Sequence, residues 1–298
     1  MTYDPLYQAL LAKLTAAWRP LDDRPEETPA STVRALWFRA AGDPRCIQRC
    51  DELLPLLEED ERERLRELVH QRMAGVPLAH LTGRQSFMGI ELQTGPAALI
   101  PRQETEILGY GALGLLEGIV SAQQRATVID LCTGCGNLAV ALAHHQPACH
   151  VYAADLSAEA VALARANVER LGLQSRVSLA VGDLFAPLEG LMPPESADLV
   201  VCNPPYIATQ HVAAMPDEIH GHEPHLAFDG GPFGISVLLR LISDTPHFLR
   251  PGGWLCFEVG LGQGDLVLRR LQRLPAYGTI ESLKDSQGEV RALLAQRT

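Results

Sequence analysis

The chain is predicted to be an α/β protein with a largely parallel sheet, helices on both faces, and a small helical domain before it. Apolar, strand-like runs alternate with helix-like segments from about residue 105 onward. Earlier in the chain, apolar residues recur at helical spacing between polar breaks. The length of 298 residues suits one or two domains. We therefore expect a helical domain over 1–82, a hairpin linker over 83–104 and an α/β domain over 105–298.

The elements of the first part follow from spacing and from turn residues. Gly75 is a natural helix end, and the polar stretch 22–29 separates two helical patterns. The alternation over 86–92 predicts a strand of a hairpin. Helices are predicted over 5–18, 31–41 and 59–74.

The elements of the second part alternate in type. Gly172 ends one of the helical patterns, and the turn sequence 250–253 precedes the last strand. Strands are predicted over 127–131, 150–154, 177–181, 197–202 and 254–259. Helices are predicted over 137–143, 158–171, 235–249 and 265–274. Such alternation is typical of a parallel sheet covered on both faces.

Polar residues stand at the end of four successive strands. Asp130 lies in the first strand, and Asp155, Asp183 and Asn203 follow the next three. Ligands of open α/β sheets bind at the carboxyl ends of the strands. Gly134 and Gly136, in the loop after the first strand, allow a tight turn and a close approach of backbone to ligand. This pattern predicts a nucleotide-type ligand.

The charge around the glycine loop selects among such ligands. Residues 126–164 contain no Lys or Arg, which disfavours a pyrophosphate. S-adenosylmethionine fits better, because its cationic sulfonium would be attracted by a carboxylate such as Asp130. We expect Asp155 to accept hydrogen bonds from ribose hydroxyls, and Asp183 to accept one from the adenine amino group with Phe185 against the ring.

The tetrapeptide Asn203-Pro204-Pro205-Tyr206 directly follows the strand 197–202. Two prolines restrict the backbone and favour a rigid pocket wall. The Asn203 side-chain oxygen and the Pro204 carbonyl can accept both N–H groups of an amide or amino nitrogen, and Tyr206 offers a face for stacking. By itself the sequence also suits an ordinary turn. Beside a methyl-donor site, it predicts methyl transfer to such a nitrogen by direct displacement.

These residues resemble the protein-glutamine N5-methyltransferases, which modify peptide release factors and a ribosomal protein. The resemblance covers about residues 60–292 and implies a Rossmann-like, S-adenosylmethionine-dependent methyltransferase domain without a metal. It implies that the substrate amide is held by Asn203, Pro204 and Tyr206. The matching stretches are 100–106, 130–136, 154–157, 203–206, 222–224 and 230–231. The implied cofactor-binding residues are Asp130, Thr133, Gly134, Gly136, Asp155, Leu156, Asp183, Leu184 and Asn203.

The chain departs from the family pattern at several positions. Cys132 replaces a usual glycine, Gln103 stands where proline is common, and Phe233 replaces the Asp of a Gly-Gly-x-Asp-Gly pattern. These departures keep open a specialised N-methyltransferase acting on a small metabolite or peptide. A non-catalytic S-adenosylmethionine-binding or assembly protein is a further alternative. For the helical domain, the family suggests substrate recognition, whereas a packing cap or dimer surface is the alternative.

Composition limits the partners and the location. A formal net charge of -11 opposes strong binding to nucleic acid, so we expect no direct DNA binding. No apolar stretch approaches the roughly 18 residues of a membrane span, and the N-terminus lacks signal-peptide features. A cytoplasmic protein is therefore expected, with a release factor, a ribosomal protein or a small molecule as substrate. Its seven cysteines suggest reduced thiols.

Two clusters resemble metal or redox sites. Cys132 and Cys135 form a Cys-x-x-Cys spacing, but their position on a glycine loop favours a purely structural role. The stretch 220–225 carries three histidines and Glu223, as a metal site can. A solvated loop is the favoured interpretation, because 222–224 already match a metal-independent family.

Overall fold

The structure is a computed structural model that describes residues 4–20, 24–213 and 221–298. The chain divides into two compact units. The first contains the described residues up to Pro96, together with Ile100–Gln103 and a segment that ends at Glu223. The second contains the remaining described residues. The domain boundaries expected from the sequence stay predictions.

The first unit is built from helices with one buried face. Asp4 caps the first helix by accepting a hydrogen bond from the Leu6 amide, and Thr28 caps the second. Its core includes Trp37 and Leu65, which are almost fully buried. The three predicted helices are confirmed, with ends that differ by at most two residues. The helices are α1 (Pro5–Ala17), α2 (Pro29–Ala40), α3 (Glu59–Met73) and α4 (Leu78–Thr82), with a 3-10 turn at Ile47–Arg49.

A two-stranded hairpin completes the first unit. The antiparallel strands β1 (Arg84–Phe87) and β2 (Ile90–Gln93) are joined by Met88 and Gly89, with φ of 46° and 77°. Two successive left-handed residues match the twist of paired strands, which is why such two-residue turns are favoured. The hairpin is confirmed, but the single strand expected over 86–92 is wrong, because this stretch contains the turn and parts of both strands.

The second unit is a seven-stranded sheet flanked by helices. Its strands are β3 (Ala126–Leu131), β4 (Cys149–Asp155), β5 (Val177–Val181), β6 (Ala197–Cys202), β7 (Leu249–Glu258), β8 (Tyr277–Lys284) and β9 (Val290–Arg297). Its helices are α5 (Gln103–Gln123), α6 (Asn137–His145), α7 (Ala158–Arg170), α8 (Thr209–Val212), α9 (Ser236–Phe248) and α10 (Gly264–Leu271). The helices in the described ranges include none long and apolar enough to cross a membrane.

The strand order is β5-β4-β3-β6-β7-β9-β8. Pairing is parallel from β5 through β7 and antiparallel where β9 joins β7 and β8. The predicted Rossmann-like, largely parallel sheet is confirmed, and the antiparallel pair at its edge is an addition. The turn expected at 250–253 instead lies inside β7, where Gly252 has a φ of 78°.

The order of the strands reverses between β3 and β6. From β3 the chain continues outward through β4 and β5, and it then returns to pair β6 on the other side of β3. Strand β6 is buried at every residue, as expected for a parallel strand covered on both faces. A crevice forms at the carboxyl ends of the strands at such a reversal, and this is where ligands bind. The loops after β3 and β6 meet there.

Candidate active site

The loop after β3 is tied down by the carboxylate of Asp130. Its Oδ2 accepts hydrogen bonds from the Thr133 hydroxyl at 2.6 Å and from the Ala139 amide at 3.0 Å. The Thr133 amide donates to the Ala154 carbonyl at 3.1 Å, which joins the loop to β4. Asp130 has no exposed surface. Asp130 therefore shapes the glycine loop and the start of α6 from below, and any attraction it exerts on a ligand acts without contact.

Gly136 is required by both conformation and space. Its φ is 83°, and an added Cβ would lie 3.1 Å from the Cβ of Ala164. Close approach of α7 to the loop is also secured by Asn167, whose Nδ2 donates to the Cys135 carbonyl at 3.0 Å. Gly134 has a φ of 55°. The loop thus has a backbone that side chains would disturb, as expected for a ligand cradle.

Asp155 connects the end of β4 to the glycine loop. Its Oδ2 accepts from the Gly134 amide at 2.8 Å, and its Oδ1 accepts from the Ser157 amide at 2.9 Å. Each carboxylate oxygen can accept a second hydrogen bond, so both remain able to accept one from a ligand hydroxyl. Burial raises the pKa of this carboxyl. Leu156, directly after it, has 54% of its surface exposed beside the same edge.

The end of β5 differs from the expectation. Asp183 is exposed, and Arg240 Nη2 donates to its Oδ2 at 2.8 Å. Phe185 is buried and stacks on Phe248, with ring centroids 4.4 Å apart and planes 9° apart. The prediction that Phe185 packs on an adenine ring is therefore wrong, because the ring already has an aromatic partner in the core. Leu184 between them is also buried, with a φ of 47°.

The tetrapeptide after β6 is tied at both ends to one buried carboxylate. Asn203 Nδ2 donates to the Thr105 hydroxyl oxygen at 3.1 Å, and Thr105 donates to Glu258 Oε2 at 2.7 Å. The Tyr206 hydroxyl donates to Glu258 Oε1 at 3.0 Å. Asn203 and Tyr206 are only partly buried, whereas Glu258 is 2% exposed. The two polar side chains of the tetrapeptide are therefore oriented from behind while remaining accessible from the crevice.

A glycine-rich segment supports the backbone of the tetrapeptide. Gln263 Nε2 donates to the Tyr206 carbonyl at 2.9 Å, and a Cβ at Gly234 would overlap that same oxygen. A cavity of about 470 Å³ opens beside Tyr206, lined also by Phe233 and Leu261. These two side chains are 81% and 65% exposed. Phe233, at the position of the Asp in the family pattern, therefore gives this cavity an apolar wall.

Most of the predicted site residues lie along one edge of the sheet, in the loop after β3 and at the ends of β4 and β6. Glu258 and Thr105 were not predicted, although they hold the tetrapeptide. The signal for Glu258 was present, because it is the one charged residue in the apolar segment 254–259. The signal for Thr105 was its place in 100–106, a stretch that matches the family pattern, although that match assigned it no role.

Glu223 contradicts the expected solvated loop. Its side chain is buried in the first unit, where Oε2 accepts from the Ile100 amide at 2.8 Å and Oε1 lies 2.5 Å from Arg102 Nη2. Arg24 Nη2 lies 3.9 Å from the same Oε1. A buried charge must be paired and hydrogen-bonded, and the arginines of this cluster meet that need. His220, part of the same expectation, lies outside the described residues.

The cysteines of the glycine loop are both free thiols. Cys135 is buried, and burial raises the pKa of its thiol to about 12. Within 4–20, 24–213 and 221–298, no group of three His, Cys, Asp or Glu side chains is arranged to hold a metal ion.

Asp130→Asn is expected to remove a pH dependence of stability. Burial raises the pKa of Asp130 from 3.8 to about 7, so the folded protein binds a proton that the unfolded chain releases. The associated stability is complete below pH 3.8 and is lost as the pH rises through about 7. We expect urea unfolding of the parent protein to lose on the order of 1 kcal/mol more between pH 6 and pH 8 than the variant does. Parallel pH profiles would contradict an Asp130 pKa near 7.

The sheet order and the loops at its edge define a Rossmann-like fold, and similarity to known proteins makes the class a methyltransferase. The family model of the methyltransferase small domain matches residues 106–233. The catalytic domain of human Mettl16 superimposes with a TM-score of 0.54 and 18% identity, covering 77% of this chain and 82% of that one. This likeness concerns the fold alone.

Sequence relatives narrow the class. The release factor glutamine methyltransferase of Moorella thermoacetica is 38% identical over 261 residues, 88% of each chain. That of Gloeobacter violaceus is 39% identical over 80% of this chain and 82% of its own. The ribosomal protein uL3 glutamine methyltransferase of Bradyrhizobium diazoefficiens is 38% identical over 77% of this chain and 71% of its own. The chain belongs to the protein-glutamine methyltransferase family.

Proposed function

We propose that this chain transfers the methyl group of S-adenosylmethionine to the side-chain amide nitrogen of a glutamine in a peptide release factor or a ribosomal protein. The observation that carries this proposal is the orientation of Asn203, whose NH2 is engaged with Thr105. The Oδ1 of Asn203 is therefore free to accept a hydrogen bond from an N–H group of the substrate amide. The relatives named for release factors and for uL3 supply the two substrates tested first.

The acceptor amide would be held at three points. The Asn203 Oδ1 and the Pro204 carbonyl accept its two N–H groups, and the ring of Tyr206 lies against its plane. The hydroxyl of Tyr206 is anchored on Glu258, so the ring has little freedom to turn away. Three contacts of this kind leave the lone-pair face of the nitrogen directed at the methyl donor, as in-line displacement requires.

The cofactor site has the charge that the donor needs. Asp155 has spare acceptor capacity for ribose hydroxyls, and the buried Oδ1 of Asp130 has no hydrogen-bond partner among the described residues. Both carboxyls favour a cation and disfavour a phosphate. When bound, S-adenosylmethionine supplies an electrophilic methyl group on a sulfonium. The residues proposed to line its site are Thr133, Gly134, Gly136, Asp155, Leu156, Asp183 and Leu184. Asp130 is proposed to act on the cofactor from beneath the loop, and Asn203 is proposed to lie between the cofactor and the substrate amide, which it mainly holds.

Positioning supplies most of the rate in this mechanism. The tetrapeptide holds the nucleophilic nitrogen, and the loop after β3 holds the donor beside it, which converts a bimolecular encounter into an oriented one. The acceptor oxygens of Asn203 and Pro204 also stabilise positive charge as it develops on the nitrogen. The proton then leaves a cationic, acidic nitrogen, so no strong base is needed.

Methyl-labelled S-adenosylmethionine tests the proposal. The purified protein is incubated with a release factor, with the ribosomal protein and with a metabolite extract in separate reactions. Label on one glutamine of a protein substrate, located by peptide mapping and absent when that glutamine is replaced, would support the proposal. Label in the small-molecule fraction alone would favour the metabolite enzyme, and no label in any fraction would favour a binding protein.

Asp155→Ala is expected to weaken S-adenosylmethionine binding by about 10-fold to 100-fold, the usual loss for a hydrogen bond to a charged group. The change removes acceptors for the ribose and releases the Gly134 amide. Titration calorimetry with S-adenosylmethionine measures the effect. Asp244→Ala, at an exposed position of α9, is the matched control and should bind as the parent does. An unchanged affinity in Asp155→Ala would contradict its assignment.

The same proposal extends to the rest of the chain. The first unit is proposed to recognise the protein substrate, and the cytoplasm is the compartment in which release factors and ribosomes act. The net charge of -11 favours a basic protein surface over DNA as partner.

A further inference from the structure

We propose that Glu258 and Thr105 are positioning residues that decide which end of the Asn203 amide faces the acceptor. The inference rests on the proposed function, because it concerns how the tetrapeptide presents an oxygen to an amide N–H. Neither residue is placed in contact with substrate or cofactor. Thr105 acts through Asn203, whereas Glu258 acts through Asn203 and also anchors the Tyr206 hydroxyl.

The three side chains form a continuous hydrogen-bonded chain. Glu258 ends β7, which pairs with β6 in parallel, and the Cys202–Phe257 pairing brings it next to Asn203. Thr105, from α5, bridges the two with distances of 3.1 Å to Asn203 Nδ2 and 2.7 Å to Glu258 Oε2. Such a contact between residues 153 positions apart makes α5 part of the site.

The direction of these hydrogen bonds follows from the chemistry of the groups. An ionised carboxylate only accepts, whereas a hydroxyl has a single hydrogen. Thr105 therefore donates its single hydroxyl hydrogen to Glu258 and can only accept a hydrogen bond from Asn203. Asn203 must present its NH2 to Thr105, which turns its Oδ1 towards the crevice.

The opposite direction would defeat binding. If Thr105 donated a hydrogen bond to Asn203, the Asn203 amide would turn over and present its NH2 group to the substrate amide. A glutamine amide nitrogen also carries only N–H donors, so two donors would face each other without a hydrogen bond. The Glu258 carboxylate thus determines that the oxygen of Asn203, and not its NH2 group, faces the substrate amide.

Burial shifts the pKa of Glu258 upward overall, and hydrogen-bond donors and a nearby arginine oppose that shift. Burial raises the pKa of this carboxyl, and so does Glu104 of α5. The hydroxyls of Thr105 and Tyr206 lower the pKa, and Arg291 of β9 lowers it further. Arg291 is itself buried. The site therefore surrounds one acceptor with two donors and a cation, as an ionised carboxylate requires.

Glu258→Gln tests the direction with almost no change in shape. The introduced amide can donate a hydrogen bond to Thr105, so the direction of the hydrogen bonds from residue 258 to Asn203 is no longer fixed. We expect kcat for the protein acceptor to fall about 100-fold, comparable to the loss of one catalytic hydrogen bond, with the dissociation constant of S-adenosylmethionine unchanged. The control is Asp198→Asn, which changes a buried carboxylate at the amino end of β6, where it accepts from the Thr127 amide. This control should keep the parent kcat. Unchanged turnover in Glu258→Gln would overturn the proposal.

A double variant tests whether Glu258 acts on Asn203 through Thr105, an arrangement called the relay below, or whether each change impairs the site independently. Thr105→Val removes the bridging hydroxyl with little change in size, and Thr105→Ser restores it. If Glu258 acts through Thr105, the variant that combines Glu258→Gln with Thr105→Val is no slower than Thr105→Val alone, and Thr105→Ser is close to the parent. Losses that multiply would overturn the relay.

NMR of the Asn203 side chain tests the inference in the absence of any methyl-accepting substrate. Its two Nδ2 protons are assigned by their absence in Asn203→Ala. In the parent, the hydrogen bond to Thr105 should slow exchange of one of them with water, and Glu258→Gln and Thr105→Val should both abolish that protection. Protection that survives in Glu258→Gln would overturn the relay. Protection lost as expected, in a protein that methylates no glutamine, would keep the relay and reject the proposed function.

Discussion

Asn203→Ala is expected to reduce methyl transfer by about 1000-fold or more while leaving the affinity for S-adenosylmethionine nearly unchanged. The acceptor nitrogen loses the oxygen that orients it, and misplaced reactants lose most of the benefit of proximity. The glycine loop and Asp155 do not depend on Asn203 for their hydrogen bonds. Steady-state turnover and calorimetry on the same preparation measure both quantities.

The control for this change is Gln210→Ala, which removes an exposed amide from α8 in the same stretch of chain. It should turn over as the parent does. Equal losses of turnover and cofactor affinity in Asn203→Ala would show that Asn203 is mainly a cofactor contact. Turnover close to that of the parent would reject its role in holding the acceptor.

Glu223→Ala is expected to lower the free energy of unfolding of the first unit by about 3 kcal/mol or more, because it removes a buried carboxylate that pairs with two arginines. The Arg102 guanidinium loses its partner at 2.5 Å, and the Ile100 amide loses its acceptor. Urea unfolding followed by tryptophan fluorescence measures the change. A Trp254→Phe background restricts the signal to Trp18 and Trp37, which both lie in the first unit.

The matched control for this second change is Glu63→Ala. Glu63 also pairs with an arginine, Arg66 at 2.8 Å, but on the exposed surface of α3. Exposed pairs contribute little because water and salt screen them. Similar small effects in both variants would mean that the Glu223 cluster is effectively solvated, as the sequence had suggested.

The central strands were predictable because each is a short, continuous apolar run that ends at a polar residue. The two C-terminal strands were not, for opposite reasons. Strand β9 contains Leu, Ala, Gln and Arg, which are good helix formers, and pairing with β7 overrides that preference. Strand β8 has mostly exposed or half-exposed residues and no apolar run. Helix α5 was obscured by four glycines, of which Gly111 leaves room for Leu283.

The candidate site divides in the same way. Asp155 and Asn203 are visible in the sequence because their position at a strand end already says where they lie. The roles of Glu223 and Glu258 depend on hydrogen-bond partners more than a hundred residues away in the sequence. No local pattern specifies such partners, so a buried carboxylate could not be told from a solvated one. The stacking of Phe185 was missed for the same reason, since its partner Phe248 comes from a distant helix.

The composition of the first unit has a practical consequence for protein engineering. Because Ile100–Gln103 and Glu223 belong to it, the unit is not one continuous stretch of chain. A fragment that ended at residue 82 or 104 would retain Arg24 without Glu223, and a hybrid that took only its N-terminal part from a relative would separate Arg24 from the Glu223 with which it pairs. Recombination between family members would therefore have to exchange three separate segments together, and libraries with a single crossover point should yield few folded proteins.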